Sequence, residues 1–173
     1  MVLQNSGSAV ASSSREYSIS FALQPPTSVG PGVAFTLPVI VTVRPVGAAN
    51  SDLQQLGASA SLRDETGASS TVRLAGTTSS SVRSRAGNGP SGYARFDRLT
   101  IASPGKYKLR ITLVANTFGG VKVKEFVESA VIQVHSGAAA SQRPTPTQIA
   151  KLQSLIPENI DISQADITAW QRA

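Results

Sequence analysis

The chain has 173 residues, which is enough for one domain with its own core and short for two. It contains no cysteine and one histidine, which excludes disulfides, thiolate chemistry and cysteine-based zinc sites. The formal net charge is +6 at pH 7. The positive excess lies in the middle of the chain, where residues 83–124 hold nine lysine and arginine side chains against the single carboxylate of Asp97.

The first 15 residues predict a disordered N-terminus without a targeting signal. They are rich in serine, alanine and glycine, lack a basic start, and hold no apolar run of signal-peptide length. No stretch of the chain approaches the ~20 apolar residues that a membrane span requires. We therefore expect a protein that is not secreted by the usual route and has no membrane partner.

Alternating apolar and polar residues predict a β-sandwich over residues 16–136. The clearest run is 107–113, where every second residue is apolar and the residues between are lysine, arginine or threonine. The turn at Ser103-Pro-Gly105 separates this run from the apolar run 96–101, so the two are expected to be antiparallel neighbours with a basic outer face. Further strands are predicted near residues 17–23, 39–43, 58–62, 72–74, 121–126 and 130–134. This series predicts an all-β, immunoglobulin-like antiparallel sandwich.

Residues 77–91 are expected to form a long mobile loop. The segment is rich in serine, carries Arg83 and Arg85, and ends in Gly87-Asn-Gly-Pro90. The basic residues of this loop and of the following strands predict a face for a polyanion such as nucleic acid. The alternative is a solvated face whose cations discourage edge-to-edge aggregation of the sheet.

The C-terminal part predicts a linker over residues 137–146 and a short helical tail over residues 147–173. Thr147 is a plausible N-cap for a first helix that Pro157 ends, and Ser163 with Asp166 has the spacing of a capping box for a second.

Ile167 and Trp170 lie on one side of the predicted second helix. They are expected either to dock on the sandwich or to anchor a binding partner.

The sequence offers little for catalysis. His135 is the sole histidine, and the carboxylates of Asp64 and Glu65 are adjacent in a turn signal rather than paired for acid–base work. We therefore predict no enzyme, no cofactor, no metal and no small-molecule substrate.

Several segments resemble the velvet family of fungal developmental regulators. They are residues 17–25, 38–43, 60–64, 74–81, 92–113 and 127–134. The longest of them is similar to the family's Gly-x-Phe-x-Phe-x-Asp-Leu-Ser-Val…Gly-x-Tyr-Arg-Leu-Arg-Phe block, with matches at Phe96, Leu99, Gly105, Tyr107 and Leu109.

The resemblance implies a sandwich related to the Rel-type DNA-binding domain. It also implies a regulator of transcription that is found in the nucleus and the cytoplasm and that acts in sporulation and secondary metabolism. Its partners would be other velvet-like proteins, as homo- or heterodimers, and double-stranded DNA.

The family's DNA-contacting basic cluster has no counterpart here, because residues 27–38 carry no charge. Either the DNA-binding surface has moved to residues 83–124, or this chain does not bind DNA by itself. If DNA is bound, the candidate contacts are Arg83, Arg85, Lys122 and Lys124, extended by Lys106, Lys108 and Arg110. The chain also resembles bacterial immunoglobulin-like surface repeats. That resemblance implies a protein- or glycan-binding module without a nucleic-acid role.

Overall fold

The computed structural model describes residues 17–46, 55–84, 87–88, 91–117, 120–139 and 142–172, so the predicted disordered segment 1–15 lies outside the described residues. In chain order the strands are β1 (Tyr17–Leu23), β2 (Ser28–Val29), β3 (Val39–Pro45), β4 (Gln55–Asp64), β5 (Leu74–Ala75), β6 (Ser79–Ser81), β7 (Arg83–Ser84), β8 (Gly87–Asn88), β9 (Gly92–Phe96), β10 (Thr100–Ile101), β11 (Gly105–Thr117), β12 (Gly120–Glu128) and β13 (Ile132–Val134). The helices are α1 (Pro146–Leu155), a 3₁₀ turn (Ile156–Glu158) and α2 (Gln164–Arg172).

Two sheets form the sandwich. Sheet A has the order β1, β3, β9, β7, β8, and sheet B has the order β2, β13, β11, β4, β6, with β12 also paired to β11. Strands β5 and β10 form a separate two-stranded ribbon. The pairs within these sheets are antiparallel except β2 with β13.

The core lies between the two sheets and follows from the period-two pattern of the strands. The apolar residues of the run 107–113 are buried, with Leu109, Ile111 and Leu113 completely so. They share one core cluster with Val39 and Val41 of β3. The predicted immunoglobulin-like sandwich with a short helical C-terminus is confirmed.

The predicted pairing of run 96–101 with run 107–113 is wrong. Arg98 has a positive φ of 54°, a conformation that breaks a strand, and the run is divided there between β9 and β10. Strand β9 pairs with β3 in sheet A, and β10 pairs with β5. Strand β11 instead pairs with β4, β12 and β13.

The predicted mobile loop over residues 77–91 is also corrected, because its described residues form three short strands. β6 pairs with β4, and β7 joins β8 to β9. Val82 anchors the segment, since its side chain is 1% exposed and its N–H donates to the Leu56 carbonyl at 3.1 Å. Gly92 is required beside β7, because a Cβ there would lie 2.3 Å from the Arg83 carbonyl oxygen.

The first helix begins at a different cap from the predicted Thr147. Thr145 is the N-cap: its Oγ1 accepts from the Gln148 N–H at 3.2 Å, and the Gln148 side chain accepts from the Thr145 N–H at 2.8 Å. Pro146 at the first helical position favours this start, because it needs no hydrogen-bond acceptor there. The predicted capping box of Ser163 and Asp166 is confirmed, with both bonds at 3.1 Å.

The helical tail covers the outer face of sheet A. Ile40 points out of this sheet, opposite to its neighbours Val39 and Val41, and is also completely buried. The second core cluster, between tail and sheet, consists of Leu23, Leu37, Ile40, Leu152, Leu155, Ile160, Ile162 and Ile167. Strand β3 is therefore buried on both sides, which explains its unbroken apolar start.

Arg95 fastens the tail to the sheet. From β9 its Nε donates to Asp97 Oδ1 at 2.7 Å, and its Nη1 donates to the carbonyl oxygens of Ile160 at 3.1 Å and Asp161 at 2.5 Å. Asp161 itself has a left-handed φ of 61°. The guanidinium also lies 5.9 Å from the ring centroid of Trp170.

Replacing Arg95→Ala removes these bonds and leaves Asp97 without its cation. Because the Arg95 side chain is only 17% exposed, we expect the free energy of unfolding to fall by about 2–4 kcal/mol. Urea denaturation followed by circular dichroism measures this change. Arg44→Ala, at an exposed arginine of the same sheet, is the control and should change stability by less than about 0.5 kcal/mol. Equal losses in the two variants would contradict the role of Arg95.

Candidate binding surfaces

The outer face of sheet B is left uncovered by the helical tail. We call this the open face, and define it by the outward residues of β4, β11 and β12, which on β11 alternate with buried ones. They are Gly57, Ser59, Ser61, Arg63, Lys106, Lys108, Arg110, Thr112, Val114, Val121, Val123, Phe126 and Glu128. Neither described helix packs over it in the way that α1 and α2 pack on sheet A.

Cations occupy one end of the open face. Lys106 is exposed on β11, and Lys108 lies opposite Arg63 of β4 in the pairing register. Cross-strand partners share a face, so these side chains form a compact basic group. Arg63 also donates to Ser69 Oγ at 3.0 Å.

Arg110 is held in place by two neighbours. Its Nη2 and Nε donate to Glu128 Oε2 at 2.6 Å and 2.9 Å. Its guanidinium carbon lies 4.0 Å from the ring centroid of Phe126. These three side chains, which we call the Phe126 group, are fixed relative to one another: Arg110 stacks on the aromatic ring while its charge is balanced by Glu128.

Apolar side chains occupy the other end of the open face. Val121 is 67% exposed, Val123 68% and Phe126 46%. Val114 of β11 lies opposite Val123 and continues the patch. Three large exposed apolar residues on one strand are unusual for a solvated surface and make this patch a candidate interaction site.

The predicted DNA contacts do not form one surface. Lys106, Lys108 and Arg110 lie on the open face, but Lys122 lies opposite Ala115, whose side chain is in the core, and so belongs to the other side of the sheet. Lys124 falls where the register of β11 and β12 shifts.

Arg83 lies on β7 of sheet A, at a groove that borders the open face, because Gly57, Ser59 and Val114 also line that groove. Its Nη1 is 3.9 Å from Asp161 Oδ2, and the groove, of about 540 Å³, also contains Arg95 and Asp97. The cations there are matched by carboxylates, so the groove has no net positive charge. Arg85 lies outside the described residues.

The predicted partner anchors lie against the chain's own sandwich. Ile167 is completely buried, and Trp170 is half-buried against the same cluster. Ile167 is therefore inaccessible to a partner while α2 is docked.

The sole histidine lines a second groove, of about 620 Å³. His135 Nε2 lies 2.8 Å from Ser28 Oγ. The described lining of this groove contains no aspartate or glutamate, so the pair lacks the carboxylate that orients the histidine of a catalytic triad.

Asp64 serves the turn after β4. Its Oδ1 accepts from the Thr66 hydroxyl at 2.5 Å, the Thr66 N–H at 2.9 Å and the Ala68 N–H at 3.1 Å. These bonds, the Thr66 hydroxyl first, lower the pKa of Asp64 below its usual 3.8. A carboxylate held ionised by a turn is poorly suited to act as a general acid.

Thr66→Val removes the largest of these effects, so we expect the pKa of Asp64 to rise toward 3.8. Because the folded pKa is depressed, the turn contributes stability above the unfolded value and loses it as pH falls through the lower folded value. NMR of the carboxyl resonances between about pH 2 and 6, the range in which carboxylates titrate, measures this change in pKa directly. An unchanged pKa in the variant would show that Thr66 is not the cause, and Thr71→Val is the control.

Among the residues that the structure describes, no group of three potential metal ligands occurs. None of the described helices is long and apolar enough to cross a membrane.

Three parts of these surfaces were missed by sequence reasoning: Arg95, the Phe126 group and the His135 groove. The sequence does contain a signal for the Phe126 group, because the alternation of apolar and polar residues along β12 changes phase between Val123 and Phe126. Such a phase change marks a β-bulge, which re-aims side chains at functional edges.

No family model and no curated protein matches the chain. Among solved structures it is similar to the cohesin module from a Clostridium perfringens ATCC13124 family 33 glycoside hydrolase, with 6% identity, a TM-score of 0.37, and coverage of 75% of this chain and 100% of that chain. It is also similar to a family 123 glycoside hydrolase from Clostridium perfringens, with 13% identity, a TM-score of 0.33, and coverage of 76% and 28%. Likenesses at these scores carry no functional conclusion.

Proposed function

We propose that the chain is a non-enzymatic protein-recognition module that binds its partner through the open face. The observation that carries this proposal is the exposed aromatic ring of Phe126, clamped by Arg110 and flanked by Val121 and Val123. The tail leaves this face uncovered while it covers the opposite face of the sandwich.

The Phe126 group has the properties of a binding hot spot. Aromatic and arginine side chains dominate the energy of most protein interfaces. Arg110 is held by Glu128 before any partner arrives, which reduces the entropy that binding has to remove. Partner side chains that cover Phe126 would also desolvate the ion pair beneath it and exclude water from it.

The partner should combine apolar and acidic side chains. The valines and Phe126 at one end of the open face favour an apolar contact, and Lys106, Lys108 and Arg63 at the other end favour carboxylates. Exposed valines fit protein side chains better than the hydroxyl-covered surface of a glycan. We therefore propose a protein rather than a glycan as the partner.

The double variant Phe126→Ala/Val123→Ser tests the face. Proteins that the wild-type chain captures from a lysate of its source organism are identified and purified. Their affinities for the wild-type chain and for the variant are then measured by calorimetry. We expect the double variant to bind about 10- to 100-fold more weakly, because it removes the anchor and its apolar neighbour.

The matched control is Val46→Ser, at a valine that is 40% exposed at the end of β3. It should leave the affinity unchanged. The proposal is wrong if a purified partner binds the double variant as tightly as the wild type, or if both variants lose binding equally.

A second proposal is the velvet-like regulator that acts in the nucleus as a dimer and contacts DNA. It rests on the sequence resemblance, and the basic group of Arg63, Lys106 and Lys108 favours it, since cations on an open surface can reach phosphates. Arg110 contributes less to this surface because Glu128 balances its charge.

Anisotropy of labelled duplex DNA across a salt series tests this second proposal. For Arg63→Ala/Lys106→Ala/Lys108→Ala we expect weaker binding and a salt slope lower by about one for each lost phosphate contact. A second variant replaces the other predicted contacts, Arg83, Arg85, Lys122 and Lys124, by alanine.

Arg44→Ala/Lys151→Ala/Arg172→Ala removes the same net charge as the first variant from exposed positions elsewhere and is the control. Binding that responds to net charge alone, with equal losses in the control, would contradict a defined DNA surface. Absence of binding by the wild type at low salt would leave the protein-recognition module.

A further inference from the structure

We infer that the groove beside Arg83 is a binding site for a neutral saccharide. One wall comes from β4, β6 and β11 of sheet B, and the other from β7, the end of β9 and the tail. Its volume of about 540 Å³ is within the range of ligand sites in proteins. The inference goes beyond the proposed protein contact, which is made at Phe126, a residue that does not line this groove.

Gly57 forms the floor of the groove. It lies inside β4, opposite Val114 of β11 and Ser81 of β6, where both pairings are regular. Its φ is not in the left-handed region, and an added Cβ would lie 3.5 Å from the Ser80 carbonyl oxygen and 3.8 Å from Val114 Cγ2, which are ordinary contact distances. Neither the backbone conformation nor close packing therefore requires a glycine here. A glycine inside a strand weakens it, and it often marks a place where a ligand approaches the backbone.

Hydroxyl groups surround this floor. Ser79 and Ser81 lie opposite Ser59 and Gly57 in the pairing register, so the two serines of β6 share the outer side of the sheet with these residues. All of them line the groove. Each serine hydroxyl can both donate and accept a hydrogen bond. The serine run of β6 therefore gives this wall the polar groups that a polyhydroxyl ligand requires.

Arg83 and Asp161 favour a hydroxyl group on the ligand. Arg83 Nη1 lies 3.9 Å from Asp161 Oδ2, which is too long for a direct hydrogen bond, and the side chains are 44% and 85% exposed. An oxygen atom placed between them can lie about 2.8 Å from both. A hydroxyl group fits this position because it accepts from the guanidinium and donates to the carboxylate at the same time. An ammonium group cannot accept, and a carboxylate cannot donate.

The charge and the apolar part of the lining also favour a saccharide. The described lining holds two arginines and two aspartates, so its formal charge is zero. A ligand with a net charge would be attracted by one of these groups and repelled by its neighbour. Val114 and Ile160 add apolar surface, against which the C–H groups of a sugar ring can pack. A neutral sugar ring with several hydroxyl groups matches all of these features.

Titration of the full chain with neutral disaccharides, followed by NMR of the backbone amides, tests the inference. The probes are maltose, cellobiose, lactose and mannobiose, which differ in the orientation of their hydroxyl groups. We expect at least one of them to shift the resonances of Gly57, Ser81 and Asp161 in a saturable way, with a dissociation constant on the order of 1–10 mM. Its fully O-methylated derivative should bind at least about 10-fold more weakly, because it cannot donate to the carboxylate.

The methyl glycoside of the same disaccharide distinguishes two sources of the ligand. Equal binding of the glycoside and the free disaccharide would point to a glycan that is attached through its reducing end. Preference for the free disaccharide would point to a free sugar.

Asp161→Asn removes the carboxylate and keeps the left-handed backbone, since asparagine also adopts this conformation. We expect the affinity for the disaccharide to fall about 5- to 10-fold, because a hydrogen bond to a charged group is roughly twice as strong as one to a neutral group. Glu65→Gln, at an exposed carboxylate outside the groove, is the control and should leave the affinity unchanged. Gly57→Val should fill the floor and abolish binding in a chain that still folds, because a β-branched residue suits a strand.

Phe126→Ala/Val123→Ser should leave disaccharide binding unchanged, which separates a failure of this inference from a failure of the proposed protein contact. Saturable binding of glycylglycine, with none of the disaccharides bound, would assign the groove to a zwitterion and overturn the inference. The absence of a saturable shift with all of the disaccharides would overturn it as well. So would wild-type affinity in Gly57→Val, or equal affinity in Asp161→Asn and Glu65→Gln.

Discussion

The arrangement of the whole molecule depends on Arg95. A partly buried arginine must have its donors satisfied, and the acceptors available here are Asp97 on the same sheet and two carbonyl oxygens of the tail. These bonds hold residues 160 and 161 of the tail against β9, while its apolar residues pack against Ile40. Arg95 and this apolar cluster together make the C-terminal segment a third layer of the fold.

The third layer makes the two outer faces of the sandwich different. One face is covered by the chain itself, and the other presents Phe126, two valines and a basic group to solvent. A sandwich needs no such residues on its surface for folding, and exposed apolar side chains favour aggregation. Their presence beside a pre-formed ion pair supports the proposal that this face binds a partner, either a protein or a nucleic acid.

The sequence predicted the class of fold because alternation is local, as in the run ending at Leu113. It could not predict which strands pair, since that depends on the break at Arg98 and on contacts far apart in the chain. Residues 77–91 have the composition of a loop, yet Val82 inserts into the core. The contact of Arg95 with the tail could not be predicted for the same reason, because the two carbonyl oxygens that it binds there lie 65 and 66 positions later in the chain. The candidate DNA contacts were grouped by sequence position, and the register places them on different surfaces.

Hydroxyl-radical footprinting read by mass spectrometry tests the asymmetry of the two faces most directly. After correction for the intrinsic reactivity of each residue type, the account predicts strong labelling of Phe126 and Val123. Ile40, Leu152 and Ile167 should be protected to the same degree as Leu109 in the sandwich core. Labelling of Leu152 and Ile167 at the level of Phe126 would show that the tail does not cover sheet A, and would contradict the account.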